Sequence, residues 1–292
     1  MKRLWNCRVI ASLLSVLVVL CAMTGCAKKG FDDKKNISVV TREDGSGTKA
    51  AFMELLGLKG KKDVSGAIVA TGTAAVLSEV KNNPLAIAFE SLGYVTDDVK
   101  ILKVDGVAAS VDAIAAGTYK IARPLQIVYQ TEKASDPLRT AFLQFLQSDA
   151  AQKTATDNGY VAGVSNPGTY TADKALSGKL MISGSTSLQP LMLKLAAQFE
   201  ELQPNVTVTV TGGGSGQGYT NAKEGVSDFG MISEEFKAEK APGCTNLTVA
   251  RDGIALIVNK ENPIDNIGME ALKNIYNCEA GSAAVRTWAD AK

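Results

Sequence analysis

The sequence predicts an α/β fold organised around a largely parallel sheet. Short apolar runs such as ISVV, AIVAT and LAIAF alternate with amphipathic stretches such as AAFMELLG and AAVLSEVKN, and this alternation favours parallel strands joined by helices. With 292 residues, 46% of them hydrophobic and 21% charged, the chain is long enough for two lobes of about 130 residues each. Several predicted strand–helix junctions are rich in glycine and hydroxyl residues, which indicates ligand binding at helix N-termini.

The first 26 residues have the pattern of an export signal. Basic residues precede the apolar run IASLLSVLVVLCAM, which is shorter than the ~20 apolar residues of a comfortable membrane-spanning helix. The run ends in MTGC, which resembles a bacterial lipobox and implies that Cys26 is the lipidated first residue of a mature protein outside the cytoplasmic membrane. Residues 27–35 then form a polar tether. An uncleaved anchor is the alternative, and it would leave the body on the same side.

The composition indicates a small ligand. Lys and Arg number 31 and Asp and Glu number 30, so no basic excess favours a nucleic-acid partner. The chain contains no histidine, the commonest general base and neutral metal ligand, which disfavours a serine hydrolase, a zinc enzyme or a Cys-His enzyme. We therefore expect no cofactor. Cys244 and Cys278, the cysteines beyond the signal, could pair or stay free.

Two further segments shape the predicted organisation. The stretch DPLRTAFLQFLQSDAAQKTATDNG has the spacing of one amphipathic helix, with Leu138, Phe142, Phe145 and Leu146 on its apolar face. Residues 161–178 are rich in Gly, Ser, Thr and Pro without an apolar period, which predicts a linker. Beyond this linker the alternation of strands and helices resumes.

Three glycine- and hydroxyl-rich junctions predict a site for a small anion. They are DGSGT at 44–48, GSTS at 184–187 and GGGSGQG at 212–218. Each alone is typical of a helix cap, but in open α/β sheets such junctions converge on ligands at the carboxyl ends of strands. The third junction lacks the lysine and the spacing of a nucleotide-binding loop. Hydroxyls and backbone amides together with one arginine suit a small tetrahedral oxyanion.

The chain also contains the segments ISVVTREDGSGTKAAF, VKNNPLAIAFESLGYV, SGSTSLQPLMLKLAAQF, TVTGGGSGQG and ARDGIALIVNKENP. These segments resemble those of the phosphate-binding proteins of bacterial phosphate ABC transporters. The resemblance implies a two-lobe periplasmic-binding-protein fold of type II, in which each lobe is a mostly parallel sheet flanked by helices and the ligand lies in the interlobe cleft. It also implies a lipid-anchored monomer that captures inorganic phosphate and delivers it to permease subunits.

The order of these segments differs from the usual order of the family, in which SGSTS comes first and REDGSGT lies near the middle. The sequence therefore predicts a circular permutation, cut before ISVV and rejoined through the linker. Two partial copies that complete each other in a swapped dimer are the alternative. The permutation assigns 36–119 and 258–292 to the first lobe, and 120–257, including the linker 161–178, to the second.

The resemblance assigns eight residues to the phosphate, all of them offering a guanidinium, a hydroxyl or a backbone amide. They are Arg42, Ser46, Gly47 and Thr48 from the first lobe and Thr186, Ser187, Ser215 and Ser233 from the second. Asp44 would hold Arg42 in place by an ion pair, and a surface pair of little energetic effect is the alternative.

Ser233 bears on specificity. Some family members carry an aspartate at this position, where it accepts a proton from phosphate and repels sulfate, and others carry serine. A hydroxyl can accept as well as donate, so protonated phosphate stays compatible. The next residue, Glu234, replaces a basic residue common in the family, and we do not expect it to reach the ligand. Asp252 is interpreted as a turn or hinge residue and Trp288 as a packing anchor.

The favoured hypothesis is a receptor that closes around inorganic phosphate and performs no chemistry. One alternative is a binding or signalling module of the same fold, or a receptor for sulfate or molybdate. An enzyme acting on phosphate esters, with Ser46 or Ser187 as the nucleophile, is disfavoured because the sequence offers no histidine and no metal-ligand cluster.

Overall fold

The computed structural model of the chain describes residues 31–291. The predicted export signal, Cys26 and residues 27–30 of the predicted tether lie outside the described residues. The rest of the tether forms a turn, and the carbonyl of Asp33 accepts a hydrogen bond from the amide of Ala289 at 2.9 Å, so these residues pack on the fold. Within the described range, no helix is both long enough and apolar enough to cross a bilayer.

The described chain alternates strands and helices along most of its length, as the hydrophobic pattern predicts. The strands are β1 (Ser38–Arg42), β2 (Ile68–Ala70), β3 (Ala86–Ser91), β4 (Lys100–Val104), β5 (Ala122–Gln130), β6 (Val161–Ala162), β7 (Ser177–Gly184), β8 (Asn205–Gly212), β9 (Phe229–Ile232), β10 (Cys244–Val258) and β11 (Asn266–Ile267). The helices are α1 (Gly47–Leu55), α2 (Thr73–Asn82), α3 (Val111–Ala115), α4 (Pro137–Leu146), α5 (Asp149–Asp157), α6 (Gln189–Leu202), α7 (Ser215–Glu224) and α8 (Met269–Tyr276).

The strands form one mixed sheet in the order β2-β1-β3-β10-β5-β9-β7-β8, with β4 and β6 also paired to β10, and β11 paired to β4. β1 runs parallel to β2 and β3, and β7 runs parallel to β8 and β9. β10 is antiparallel to β3, β4, β5 and β6. β5 is also antiparallel to β9. The sheet is therefore less parallel than predicted, because β10 and β5 both run against their partners.

The strand β10 belongs to both halves of the sheet. Up to Gly253 it pairs with β5, and from Ile254 onward it pairs with β3 and β4. The amide of Ile254 also donates to the carbonyl of Ile121 at 2.8 Å, just before β5 begins. We call β1–β4, β11 and the end of β10 the first lobe, and β5–β9 with the start of β10 the second lobe. The two crossovers lie close to the predicted limits at 119/120 and 257/258, and the division of the chain between the lobes stays a prediction.

Each lobe has its own hydrophobic core. In the second lobe the buried rings of Phe142 and Phe199 meet edge to face, with centroids 5.0 Å apart. In the first lobe Phe52 stacks on Phe89 with centroids 4.1 Å apart, beside an aliphatic cluster of β1, α2, β3 and β10. Because each core is closed within one lobe, the lobes can move as units about the crossover strands.

Two sequence expectations differ from the structure in the second lobe. The predicted single helix after residue 136 is split into α4 and α5, because the hydroxyl of Ser148 accepts a hydrogen bond from the amide of Ala151 and caps a new helix. The segment 161–178 is packed rather than free. It contains β6 and the first residues of β7, and the ring of Tyr170 lies edge to face against Phe145.

Candidate anion site

The N-terminus of α1 contributes the first group of candidate residues. β1 ends at Arg42, a turn follows, and the hydroxyl of Ser46 caps the helix by accepting from the amide of Lys49 at 3.3 Å. The first amides of a helix have no acceptor within it and carry a partial positive charge. Here they belong to Gly47 and Thr48, both buried. The turn therefore presents amide and hydroxyl donors together.

The second lobe places Thr186 and Ser187 in the turn before α6, and Ser215 at the start of α7. The hydroxyls of Thr48 and Ser187 lie 2.8 Å apart, and a guanidinium nitrogen of Arg42 lies 3.2 Å from the hydroxyl of Thr186. These two contacts join the lobes side chain to side chain. The predicted donors of the two lobes therefore meet at one place.

Gly47 marks a close approach between the lobes. A Cβ atom at this position would lie 2.2 Å from the hydroxyl oxygen of Ser215 and 2.9 Å from that of Ser233. Ser233 is itself tied to Ser215, because its amide donates to the Ser215 hydroxyl at 3.1 Å. The amide of Gly216 also donates to the carbonyl of Gly45 across the same contact. Only glycine at position 47 lets the helix N-termini of α1 and α7 approach this closely.

The ion pair predicted between Arg42 and Asp44 is wrong. Arg42 donates from two nitrogens to the carboxylate of Glu43, at 2.8 and 2.9 Å, and a third nitrogen lies 3.5 Å from Glu90. Asp44 is fully exposed and pairs with Lys49 at 3.3 Å. It sits in the turn before α1 and faces solvent, whereas the preceding glutamate reaches the guanidinium. Glu43 stands in the REDGSGT motif, so its type and position could have suggested it.

The N-terminus of α2 adds Thr73, which is not among the residues predicted from the sequence. The hydroxyls of Thr73 and Thr186 lie 3.0 Å apart, so α2 joins the same cluster. The amide of Gly72 donates to the carboxylate of Glu43 at 3.2 Å. Burial raises the pKa of Glu43, but the hydrogen bonds and the charge of Arg42 outweigh burial and hold it below its ordinary value. Glu43 is therefore ionised at neutral pH.

A second buried ion pair supports the site from the crossover strands. Arg123 donates to the carbonyl of Ser233 and to the carboxylate of Asp252, each at 3.0 Å. Asp252 lies on β10 beside Gly253, where that strand changes lobes. Burial raises the pKa of Asp252 against the opposing charge of Arg123. The position of Ser233 is thus coupled to the point at which the lobes join.

Glu234 is paired with two lysines outside the cluster. Its side chain is 3% exposed, and its carboxylate lies 2.7 Å from Lys240 and 3.3 Å from Lys237. Among the described residues no group of histidine, cysteine, aspartate and glutamate side chains could hold a metal ion. Cys244 and Cys278 are both free, and Cys278 is exposed. The cluster offers guanidinium, hydroxyl and backbone-amide hydrogen-bond donors.

A two-lobe α/β fold with crossover strands and helix N-termini that meet between the lobes defines a periplasmic binding protein of type II. The family model of a PBP superfamily domain matches residues 28–150 and 169–292. The chain belongs to this superfamily and, within it, to the phosphate-binding proteins of phosphate ABC transporters, as the following relatives show.

Phosphate-binding protein PstS 2 of Streptococcus pneumoniae TIGR4 is 36% identical over 277 residues, which cover 91% of this chain and 92% of the relative. Phosphate-binding protein PstS 2 of Streptococcus agalactiae 2603 V/R is 34% identical over 291 residues, which cover 96% and 97% of the two chains. The crystal structure of a phosphate-binding protein of a phosphate ABC transporter from Streptococcus pneumoniae TIGR4 matches with a TM-score of 0.69 at 36% identity. The match covers 88% of this chain and 100% of that one.

Proposed function

We propose that this protein captures inorganic phosphate between its two lobes and delivers it to the permease of an ABC transporter. The observation that carries this proposal is the convergence of the α1, α2, α6 and α7 N-termini and one buried guanidinium on one cluster of hydroxyls. Such a cluster offers charged, hydroxyl and amide donors to a tetrahedral oxyanion. The named relatives are phosphate-binding proteins, which supports phosphate as that anion.

The proposed contacts divide between the lobes. Arg42 and the α1 N-terminus would hold the anion from the first lobe, with Glu43 and Glu90 fixing the guanidinium. The hydroxyls of Thr186, Ser187, Ser215 and Ser233 would complete the cage from the second lobe. Serine hydroxyls can accept a hydrogen bond as well as donate one, so the cage suits phosphate carrying a proton. Closure of the lobes would bury the anion, and the closed form is what a permease recognises.

The test is calorimetric titration of the purified protein with phosphate and with sulfate, alongside two variants. Thr48→Val removes a hydroxyl from the cluster with little change in shape. Thr41→Val is the matched control, because Thr41 is also buried but donates to Asp63, outside the cluster. A hydrogen bond to a charged ligand contributes about 1.5–3 kcal/mol, so Thr48→Val should weaken phosphate binding about 10- to 150-fold.

Wild-type protein should bind one phosphate with saturation and bind sulfate weakly, and Thr41→Val should bind phosphate like the wild type. A folded wild-type protein that takes up no phosphate, or that binds sulfate equally well, would exclude the phosphate receptor. The first result would favour a module of the same fold that has lost transport, and the second a receptor for a different oxyanion.

We also propose that the protein works outside the cytoplasmic membrane, attached through a lipid on Cys26, as a monomer. The support is the lipobox-like MTGC at the end of the export-signal pattern. In cells, the wild-type protein should sediment with membranes, and Cys26→Ser should shift it to the soluble or secreted fraction. Cys278→Ser is the control, because that cysteine is free and exposed within the fold. Equal distribution of Cys26→Ser and the wild type would reject the anchor.

A further inference from the structure

An ion pair crosses between the lobes outside the anion site. The ammonium of Lys237, in the second lobe, lies 3.0 Å from the carboxylate of Glu54, in the last turn of α1. The two side chains, with Ser46 and Lys49, line a cavity of about 210 Å³ that is open to solvent and includes the N-cap residue of α1. The contact therefore ties the lobes together at the edge where the anion site meets solvent.

Lys237 is held in position by its own lobe. Its ammonium also lies 3.3 Å from Glu234, which is buried and paired with Lys240. Its backbone amide donates to the hydroxyl of Tyr219 at 3.1 Å. Its side chain is 16% exposed, so the charge is only partly screened by solvent. Because the lysine is fixed in advance, little entropy is lost when it meets Glu54.

Both lobes connect this ion pair to the anion site through short stretches of chain. Glu54 lies on α1, whose N-terminus carries Gly47 and Thr48. Glu234 follows Ser233 directly in the chain. Separation of the lobes would break the contact between Lys237 and Glu54. The contacts from Lys237 to Glu234 lie within the second lobe and would survive.

We propose that Lys237 and Glu54 form a latch that stabilises the closed lobes and sets the rate at which the bound anion leaves. The pair forms only when the lobes are closed and does not touch the ligand, so it slows release more than it changes capture. This inference rests on the proposed function, with inorganic phosphate as the anion. Glu54 carries a second lysine partner, Lys59, 3.2 Å away and on the same lobe. Lys59 cannot hold the lobes together.

The test uses that difference. Phosphate dissociation is measured by stopped flow at low salt for the wild type, Lys237→Met and Lys59→Met. Both variants remove one ammonium from the same carboxylate, but only the first removes a contact between lobes. A partly exposed ion pair predicts about 2- to 5-fold faster dissociation for Lys237→Met and no change for Lys59→Met. The difference should shrink at high salt, because salt screens the pair.

A double variant separates the latch from a general loss of charge. Glu54→Gln with Lys237→Met should dissociate no faster than Lys237→Met alone, because the two changes remove the same contact. Additive effects, or equal rates for Lys237→Met and Lys59→Met, would overturn the latch while leaving phosphate binding intact. Absence of phosphate binding in the wild type would instead overturn the proposed function. Thermal melting of each variant checks that it is folded.

Discussion

Glu43 and Asp44 are neighbours in the sequence with different surroundings. Glu43 makes two hydrogen bonds to the buried Arg42, whereas Asp44 is fully exposed. Glu43→Gln leaves the guanidinium with one fewer charged partner, so it should lower the free energy of unfolding by about 1–2 kcal/mol. Asp44→Asn is the matched control and should leave stability unchanged. Urea denaturation of both variants, without phosphate, checks this, and a larger loss for Asp44→Asn would restore the original pairing.

The buried acids give stability a pH dependence. Among the described residues around Arg42 and Arg123, three carboxylates face these two guanidiniums: Glu43, Glu90 and Asp252. Burial raises the pKa of Glu90 above its ordinary value of 4.5, against the charge of Arg42. In the folded protein the carboxyl group of Glu90 then keeps its proton at pH values at which the same group in the unfolded chain has lost it. The contribution of Glu90 to stability is greatest below pH 4.5 and falls as pH rises through the folded pKa.

Glu90→Gln removes this dependence. We expect the free energy of unfolding of the variant, relative to that of the wild type, to increase as pH rises from about 4.5 toward neutrality. The quantity compared is the slope of this free-energy difference against pH, because the substitution also changes the contact with Arg42 at every pH. Urea denaturation at a series of pH values measures it. A difference that stays constant with rising pH would show that the folded state does not shift the pKa of Glu90, and a difference that falls would show that the folded state lowers it.

At the scale of elements, α1 and α7 approach so closely that a side chain larger than glycine at position 47 should hinder closure of the lobes. Gly47→Ala places a Cβ atom 2.2 Å from the hydroxyl of Ser215. Alanine suits a helix better than glycine, so the open protein should be as stable as the wild type or slightly more stable. The closed form should be strained by about 1–3 kcal/mol, which weakens phosphate binding about 5- to 150-fold.

Gly168→Ala is the control for this substitution. An added Cβ at Gly168 would meet no atom within 4 Å, and the residue lies outside the cluster. Calorimetry with phosphate and a thermal melt should show unchanged binding for Gly168→Ala. For Gly47→Ala they should show weaker binding without loss of stability. If Gly47→Ala bound phosphate like the wild type, the lobes would not close to the contact seen here.

The elements that sequence could predict are those fixed by local patterning. The apolar runs at β1, β3 and β9 and the glycine-rich helix starts of α1 and α7 follow from period and composition. The split at Ser148 was missed, because a capping serine competes with an uninterrupted helical pattern. The choice of Glu43 over Asp44, and the pairing of Arg123 with Asp252, were missed for other reasons. Arg123 and Asp252 lie 129 positions apart, and a single sequence does not show locally that they meet. Glu43 and Asp44 both lie next to Arg42 in the chain, and the conformation of the turn before α1 decides which of the two carboxylates reaches the guanidinium.

At the scale of the whole molecule, the same fold could be built by a chain with its segments in a different order. The amide of Ala289 donates to the carbonyl of Asp33, and Asn36 pairs with Thr287, so the two ends of the described chain are adjacent. Residues 165–167 are exposed and lie outside any helix or strand. The helix–sheet contacts of both lobes do not depend on which of these two places is the break. The circular permutation inferred from the family resemblance stays a prediction.

A chain with the segments rearranged to the usual family order tests the circular permutation. The chain would begin at Asn166, run to Ala291, continue through a short Gly/Ser linker to Asp32 and end at Ser165. We expect phosphate affinity within about 3-fold of the wild type and a melting temperature lower by about 2–4 °C, because only loop closure changes. A chain opened between Leu256 and Ile257, both fully buried in β10, is the control and should fail to fold.

Size-exclusion chromatography of the rearranged chain distinguishes a monomer from a swapped dimer. A binding monomer supports permutation within one molecule, whereas a rearranged chain that binds only as a dimer supports the swapped alternative.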